Sequence, residues 1–390
     1  MSDIQLFKPK ICEEAIKSVE ETLQSGWIGL GPKVEQFERD FCNYIGCQYA
    51  AGLNSATSGL HLAMILAGIE EGDEVITTPM TFVSTNHAIL YQKAIPVFVD
   101  IEYNTLNIDA NKIEEKITNK TKAIVCVHYS GYPCDLSSIY EIASNYNLTV
   151  IEDCAHAMGA QYQGRKIGAS SSLAVFSFHA VKNLPTGDGG MLVTNDAEIY
   201  ERLKKLRWMG ISKDTYGRRT SMENLSSYSW QYDVETIGYK YHMNDIVASI
   251  GIEQLKYLDK ENLRRQAIAD IYHKELQNIL GIELPVKSDK NRQSSNHIFH
   301  IKCNKRNFLH QELKNKKIGT GVHYIPNHLY DTYEPYYIHL PVTESVWKKI
   351  LSLPMHLHLS DDDVLRICDE IKRIMELLQK ENPNSWDILS

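Results

Sequence analysis

Apolar positions in this chain come in short runs, and between the runs they recur at helical spacing. YAAGL precedes SGLHLAMILAGI, and DEVITTPM precedes STNHAILYQKA. IPVFVDI is followed by DANKIEEKI, KAIVCVHY by LSSIYEIASNYN, and then LTVIEDCA arrives. Runs rich in Val and Ile that alternate with amphipathic helices predict a mostly parallel sheet covered on both faces. SLAVFSF and GGMLVTN add two strands to these five. Upstream, CEEAIKSVEETLQSGWIGLGPKVEQFERDFCNYIG predicts two helices around a Gly-rich corner. From Tyr200 to about Gly238 the period is lost and the chain turns polar and aromatic, which predicts a long loop, centred on residues 208–237. Loops of that length are usually functional or disordered, and the aromatics favour function. A long helical stretch from Met243 then opens a second, smaller α/β domain, with strands at HIFHIKC and TGVHYIP and a last helix at DDDVLRICDEIKRIMELLQK. The expected division is a large domain over residues 1–250, a small one over 251–380, and a flexible tail over 381–390.

Composition narrows the class. Hydrophobic residues at 43% and charged residues at 23% are those of an ordinary globular protein. The net charge of −8 argues against a nucleic-acid partner, which selects a basic face. No apolar run approaches the ~20 residues of a membrane span, and the amino-terminal segment lacks a signal-like apolar core. Cys12, Cys42, Cys47, Cys126, Cys134, Cys154, Cys303 and Cys368 form no CxxC pair and no zinc spacing. Reduced thiols, no metal and a cytoplasmic location are the expectation.

Candidate chemistry gathers where strands end. VFSFHAVKNLPTGDGG leaves a buried strand and places Lys182 between a histidine and a Gly-rich turn. A loop lysine is ordinarily solvated, but this one falls at the carboxyl edge of the sheet, where open α/β sheets bind ligands. At VIEDCAHAMGA, Asp153 could accept a proton from a pyridinium nitrogen or simply cap the following turn. His156 beside it could be catalytic or merely packed. In GLNSATSGLHLA, Ser55, Ala56 and Thr57 open a helix and offer an anion site, or a plain cap. Phe82 could stack on a flat cofactor or belong to the core. Together these supply a phosphate cradle, a stacking ring, an aspartate and a Schiff-base lysine, which is the inventory that pyridoxal phosphate requires.

In order and content the chain resembles the DegT/DnrJ/EryC1/StrS family of pyridoxal-phosphate-dependent sugar aminotransferases, of fold type I. The resemblance runs from GWIGLGPKVEQFE to LPMHLHLSDDDV and is most specific at VIEDCAHAMGA, FSFHAVKNLPTGDGGMLVTND and GYKYHMNDIVASIGIEQL. It implies an internal aldimine on Lys182, Asp153 at the pyridine nitrogen, His156 near the phenolic oxygen and Phe82 over the ring. Ser177, Ala56 and Thr57 would hold the phosphate. A partner-subunit residue would reach it too, with His242 the best alignment and Asn244 or Lys240 the alternatives. A homodimer with shared sites follows. Relatives with histidine at the lysine position are sugar 3-dehydratases, and this chain keeps Lys182. The resemblance implies L-glutamate as donor, pyridoxamine phosphate as intermediate and a keto-sugar as acceptor. SFHAVKN looks closest to relatives that aminate C4 of nucleotide-linked 4-keto-6-deoxy-hexoses for lipopolysaccharide, capsule or glycan assembly. The alternatives are a 3-keto sugar, a keto-octulosonate, a cyclitol ketone, or a regulatory protein that kept the fold without catalysis. Trp208, Arg218, Arg219 and Trp230 in the long loop are substrate candidates or solvated residues. His179, and His323, Tyr324 and His328 in the segment that closes over the sugar, are further substrate candidates.

Overall fold

The computed structural model describes residues 3–212 and 232–381. Its larger domain is built on seven strands: β1 Tyr49–Leu53, β2 Glu74–Thr77, β3 Ile95–Phe98, β4 Thr121–Val127, β5 Thr149–Asp153, β6 Leu173–Ser177 and β7 Gly190–Thr194. Their spatial order is β1-β7-β6-β5-β4-β2-β3. From β3 to β6 the neighbours run parallel, whereas β7 is antiparallel to both β6 and β1. The reversal matters for function. It brings the amino end of β7 to the same edge as the carboxyl ends of all the other strands.

Alternation along the strands feeds two cores. Leu173, Val175 and Leu192 face the helices Ala56–Leu66 and Ala197–Leu206. Ala174, Phe176, Met191 and Val193 face the helix Pro32–Ile45 and the first half of the helix Asp245–Leu276. Period-two side chains and burial on both sides are what near-continuous Val/Ile runs require. The helix ATSGLHLAMIL is buried almost all round, which explains why its sequence is apolar on every face.

The second domain has a three-stranded antiparallel sheet, β8 Ile282–Glu283, β9 Phe299–Cys303 and β10 Ile350–Leu353, in that spatial order. The helices Arg306–Asn315 and Asp361–Glu381 cover it. Ile268, Tyr272 and Leu276, from the far half of Asp245–Leu276, complete its core with Phe299, Ile301, Leu309 and Ile371. That helix passes residue 250 without a break, so the two cores share one rod. Ile4 packs in the second core as well, and its N–H donates to the Lys317 carbonyl at 2.9 Å. None of the helices among the described residues is long and apolar enough to cross a membrane.

Three local expectations change. DANKIEEKI forms two 3₁₀ turns, Ala110–Lys112 and Glu114–Lys116, in place of a helix, the first capped by Asp109, which accepts from the Asn111 N–H. The helix Ala197–Leu206, capped by Asp196 at the Glu198 and Ile199 N–H groups, carries regular structure past Tyr200. TGVHYIP makes only a bridge from Gly321 to Ser352, since the segment leaves the sheet to reach the cleft between the domains.

Candidate active site

A cleft of about 300 Å³ opens along the carboxyl edge of the sheet. Ser55, Ala56 and Thr57 enter it after β1, Thr81 and Phe82 after β2, and Val127 at the end of β4. Asp153 and His156 come from β5 and its following turn, Ser177, His179 and Lys182 from β6, and Gly189 from the approach to β7. The second domain adds His323 and Tyr324. Eleven positions that the sequence singles out therefore meet in one place, although they are spread from residue 55 to residue 324.

Lys182 is aimed by a tight turn in which its N–H donates to the His179 carbonyl at 2.8 Å. Burial pushes its pKa down to about 8, against the opposing pull of the Asp153 carboxylate. Roughly a tenth of the amine is then neutral at pH 7, against well under a thousandth for a free lysine. Asp153 is held from two sides. Thr85 Oγ1 donates to its Oδ2 at 2.7 Å, and the Ala155 N–H donates to its Oδ1 at 3.0 Å. The second contact is the local turn cap, so capping and a role in the cleft coexist. Thr81 Oγ1 lies 2.8 Å from Thr85 Oγ1 and donates to it, because the Thr85 proton is committed to Asp153.

His156 is buried, and its Nε2 lies 3.0 Å from the Tyr324 hydroxyl. Its Nδ1 is buried with no hydrogen-bond partner among the described residues. Burial first, then Lys182 and His323, depress its pKa well below the ordinary value, so the ring is neutral. The turn that carries His156 is pinned by Gly131, at φ +92°, where an added Cβ would collide with Ser295 Oγ and come within 2.8 Å of the His156 carbonyl.

Phe82 is 57% exposed, so the core role open to it in the sequence does not apply; its ring stands 6.1 Å from that of Tyr324. Ser55 caps the helix Ala56–Leu66, its Oγ accepting from the Ser58 N–H at 3.1 Å. The Ala56 and Thr57 N–H groups, in the first turn, have no acceptor within the helix. Gly190 faces that helix end so closely that a Cβ would lie 2.6 Å from the Ala56 nitrogen.

Other candidates lie elsewhere. Trp208 and His242 pack edge to face at 4.3 Å beside β1, where His242 bridges to Leu53, and they do not line this cleft. Asn244 caps the helix Asp245–Leu276, its Oδ1 accepting from the Val247 N–H at 3.0 Å. His328 is buried against Phe98 and Tyr337 with Nε2 3.4 Å from Glu344, a packed histidine that does not line the cleft. Arg218, Arg219 and Trp230 fall outside the described residues. Conversely, Thr85, Asn183 and His297 were invisible as site residues. Thr85 sits within a helical pattern, Asn183 follows Lys182 without a motif of its own, and His297 precedes a strand whose period drew the attention.

A strand-edge cleft with a lysine, an aspartate and a helix terminus also fits other ligand-binding α/β proteins. The comparison with known sequences decides the family: the model of the DegT/DnrJ/EryC1/StrS aminotransferase family matches residues 9–372. The chain belongs to this family. Uncharacterized protein MJ1066 of Methanocaldococcus jannaschii is 44% identical over 380 residues, covering 95% of this chain and 97% of that protein. Spore coat polysaccharide biosynthesis protein SpsC of Bacillus subtilis is 41% identical over 379 residues, with coverages of 94% and 96%. Among solved structures, the putative sugar aminotransferase Spr1654 of Streptococcus pneumoniae in its PMP-form aligns with a TM-score of 0.90 at 31% identity, covering 96% of this chain and all of that one. This DegT-family chain is thus an aminotransferase of the pyridoxal-phosphate-dependent class, and its fold is that of the class. Its cleft suits the cofactor on its own terms. It offers a partly neutral amine, a hydrogen-bonded carboxylate, a neutral histidine with an open ring nitrogen, and a helix terminus approached by a glycine.

Proposed function

We propose that this enzyme transfers the amino group of L-glutamate to a keto-sugar, at C4 of a nucleotide-linked 4-keto-6-deoxy-hexose, to make amino sugars for surface glycans. The observation that carries the proposal is Lys182, an amine with its pKa lowered to about 8 at the rim of a cleft that also holds Asp153 and His156. Pyridoxal phosphate, when bound, supplies an electron sink for carbanion chemistry. Lys182 is its covalent anchor, and, once released, the base that moves the substrate's Cα proton. Asp153, its orientation fixed by Thr85 and the Ala155 N–H, would pair with the ring nitrogen and favour its protonated form. Phe82 would stack on the ring, and His156 would lie beside it near the phenolic oxygen. The N–H groups of Ala56 and Thr57, with the Ser55, Thr57 and Ser177 hydroxyls, take the phosphate. His179, His323 and Tyr324 are the sugar-side groups.

The acceptor assignment is supported by kinship. SpsC is named for polysaccharide biosynthesis, and Spr1654 is described as a putative sugar aminotransferase solved in PMP-form and PLP-form. We further propose a homodimer in which His242 or Asn244 of each chain serves the other chain's phosphate site. In keeping with that, neither residue lines the cleft of its own chain. Glutamate-dependent amination should be assayed over a panel of nucleotide-linked 4-keto and 3-keto hexoses, a keto-octulosonate and a cyclitol ketone. Turnover greatest on a 4-keto-6-deoxy-hexose is the expected result, and a preference for any other member replaces this acceptor. Borohydride reduction followed by peptide mapping should place the cofactor on Lys182; a label elsewhere, or none, refutes the site.

A further inference from the structure

Among the described residues, the Lys182 amine has one hydrogen-bonding side chain near it, and that side chain comes from the second domain. Nζ lies 3.5 Å from Nε2 of His297, the long end of the hydrogen-bond range. Which ring nitrogen carries the hydrogen follows from the neighbours. Asn183 Nδ2 donates to the Ser295 carbonyl at 2.9 Å, and a carbonyl can only accept. The same Nδ2 donates to Asn262 Oδ1 at 2.9 Å, while Asn262 Nδ2 is used on the Met158 carbonyl at 3.0 Å. The Asn183 amide is therefore fixed with Oδ1 toward His297 Nδ1, 3.0 Å away. An amide oxygen accepts, so Nδ1 is the protonated nitrogen.

Burial, and then Lys182, His156, Arg265 and His323, hold the ring neutral. Nε2 thus presents its lone pair to Lys182. The ring cannot easily turn away. Phe7 stacks on it at 5.9 Å and 10°, His156 lies 4.6 Å off, and the His297 N–H is tied to the Ser130 carbonyl at 3.1 Å. Asp153, whose oxygens accept from Thr85 and the Ala155 N–H, makes no hydrogen bond with the Lys182 amine among the described residues.

We propose that His297 is a positioning residue for Lys182, accepting an N–H of the free ε-amine at Nε2 so that the amine's lone pair is turned into the cleft. The inference rests on the function proposed above. It gives the second domain a direct hold on the lysine through a hydrogen bond that exists only while Lys182 is uncombined. Among the described residues, the charged and titratable groups that share a cavity wall with Lys182 are Asp153, His156, His179, Asp188, His323 and Tyr324 on the cleft side and Lys8, Lys10, Arg265 and His356 behind it, with His297 beside the amine.

His297→Phe keeps the stack on Phe7 but removes the acceptor, whereas His297→Gln offers an amide oxygen at the reach of Nε2. Cofactor-free protein is mixed with pyridoxal phosphate, and the rate of growth of the visible band is followed against pH. That rate tracks neutral Lys182, with a midpoint near 8 in the parent. Losing a neutral acceptor destabilises the ammonium more than the amine, so the Phe variant's midpoint should fall by about one unit, tenfold more neutral amine. Despite that gain, the glutamate half-reaction in single turnover should slow by on the order of tenfold at saturating donor, with half-saturation unchanged. The Gln variant should restore both values toward the parent. A Phe variant that melts like the parent and keeps its midpoint and rate overturns the proposal, as does a Gln variant no better than Phe. Should the Phe protein not fold, His297→Asn takes its place, since Asn retains the Asn183 contact but falls short of the lysine. If the parent itself fails to capture the cofactor on Lys182, the proposed function falls and takes this inference with it. Capture in the parent with no effect of the variants removes His297 alone.

Discussion

Gly190 offers the sharpest test of the phosphate cradle. It opens β7 between Leu53 of β1 and Ser177 of β6, paired to both. A Cβ there would sit 2.6 Å from the Ala56 nitrogen and 2.7 Å from the Ser55 carbonyl oxygen. Ordinary contact begins near 3.4 Å, so Gly190→Ala demands a displacement of about 0.8 Å. The strand is held by ladders on both sides, so the end of the helix Ala56–Leu66 is the part that yields. Overpacking of this kind costs about 1–3 kcal/mol. Spread over an unfolding entropy of roughly 0.8 kcal/mol/K for a chain of this length, that is a fall in Tm of about 1–4 °C. The effect on binding is larger and selective. Moving the Ala56 and Thr57 N–H groups by 0.8 Å takes charge-assisted bonds of ~2.8 Å out of range, and each is worth roughly 1.5–3 kcal/mol. Affinity for pyridoxal 5′-phosphate should drop ten- to a hundredfold or more, while that for unphosphorylated pyridoxal should stay within about twofold. Fluorescence titration of cofactor-free protein with both compounds measures the two constants. Equal losses, or no loss, would show that this helix end does not hold the phosphate.

Lys182→Ala should abolish transamination and the visible band yet still bind pyridoxamine phosphate; residual turnover above about a thousandth of the parent's would contradict the assignment. Because the folded pKa of Lys182 lies near 8, below the unfolded value of ~10.4, the unfolded chain binds more protons between these limits and stability rises with pH across them. Lys182→Met should therefore stabilise the cofactor-free protein by roughly 3 kcal/mol below pH 8, an advantage that fades toward pH 10.4. Denaturant melts at pH 7 and pH 10 would reveal it, and an advantage equal at both would refute the buried-amine account. Thr85→Val, nearly isosteric, removes the donor to Asp153 Oδ2 and should cost about 1.5–3 kcal/mol with a slower half-reaction; parent-like calorimetry and rate would mean Thr85 does not orient the carboxylate. If sites are shared between subunits, mixing Lys182→Ala with Asn244→Ala chains should regain activity that neither homodimer has.

Much of the sheet was legible because strands buried on both faces cannot disguise their continuous apolar runs, as β4 and β6 show. The residues that follow those strands were legible for the same reason: a strand end fixes where Asp153, Ser177 and Lys182 must emerge. What the pattern could not convey was contact between residues far apart in sequence, within a domain or across the two. His297 sits 115 positions from Lys182, and Thr85 is separated by 68 from the Asp153 it serves. His328 looked like a candidate because it follows His323 and Tyr324 closely, yet the chain turns into the 3₁₀ segment Asn327–Leu329 and buries it. The helix Ala197–Leu206 was obscured because Tyr200, which stacks on Tyr49, looked like the start of an aromatic loop.

Residues 4–7 end up stitched into the second domain. Ile4 joins Lys317, the Leu6 carbonyl accepts from the Met355 N–H at 3.1 Å, and Phe7 backs the His297 ring. Residues 4–7 can therefore dock only once segments roughly three hundred positions away in sequence have met them. Trimming at Phe7 would act on the wall behind the lysine, although none of residues 3–8 lines the cleft.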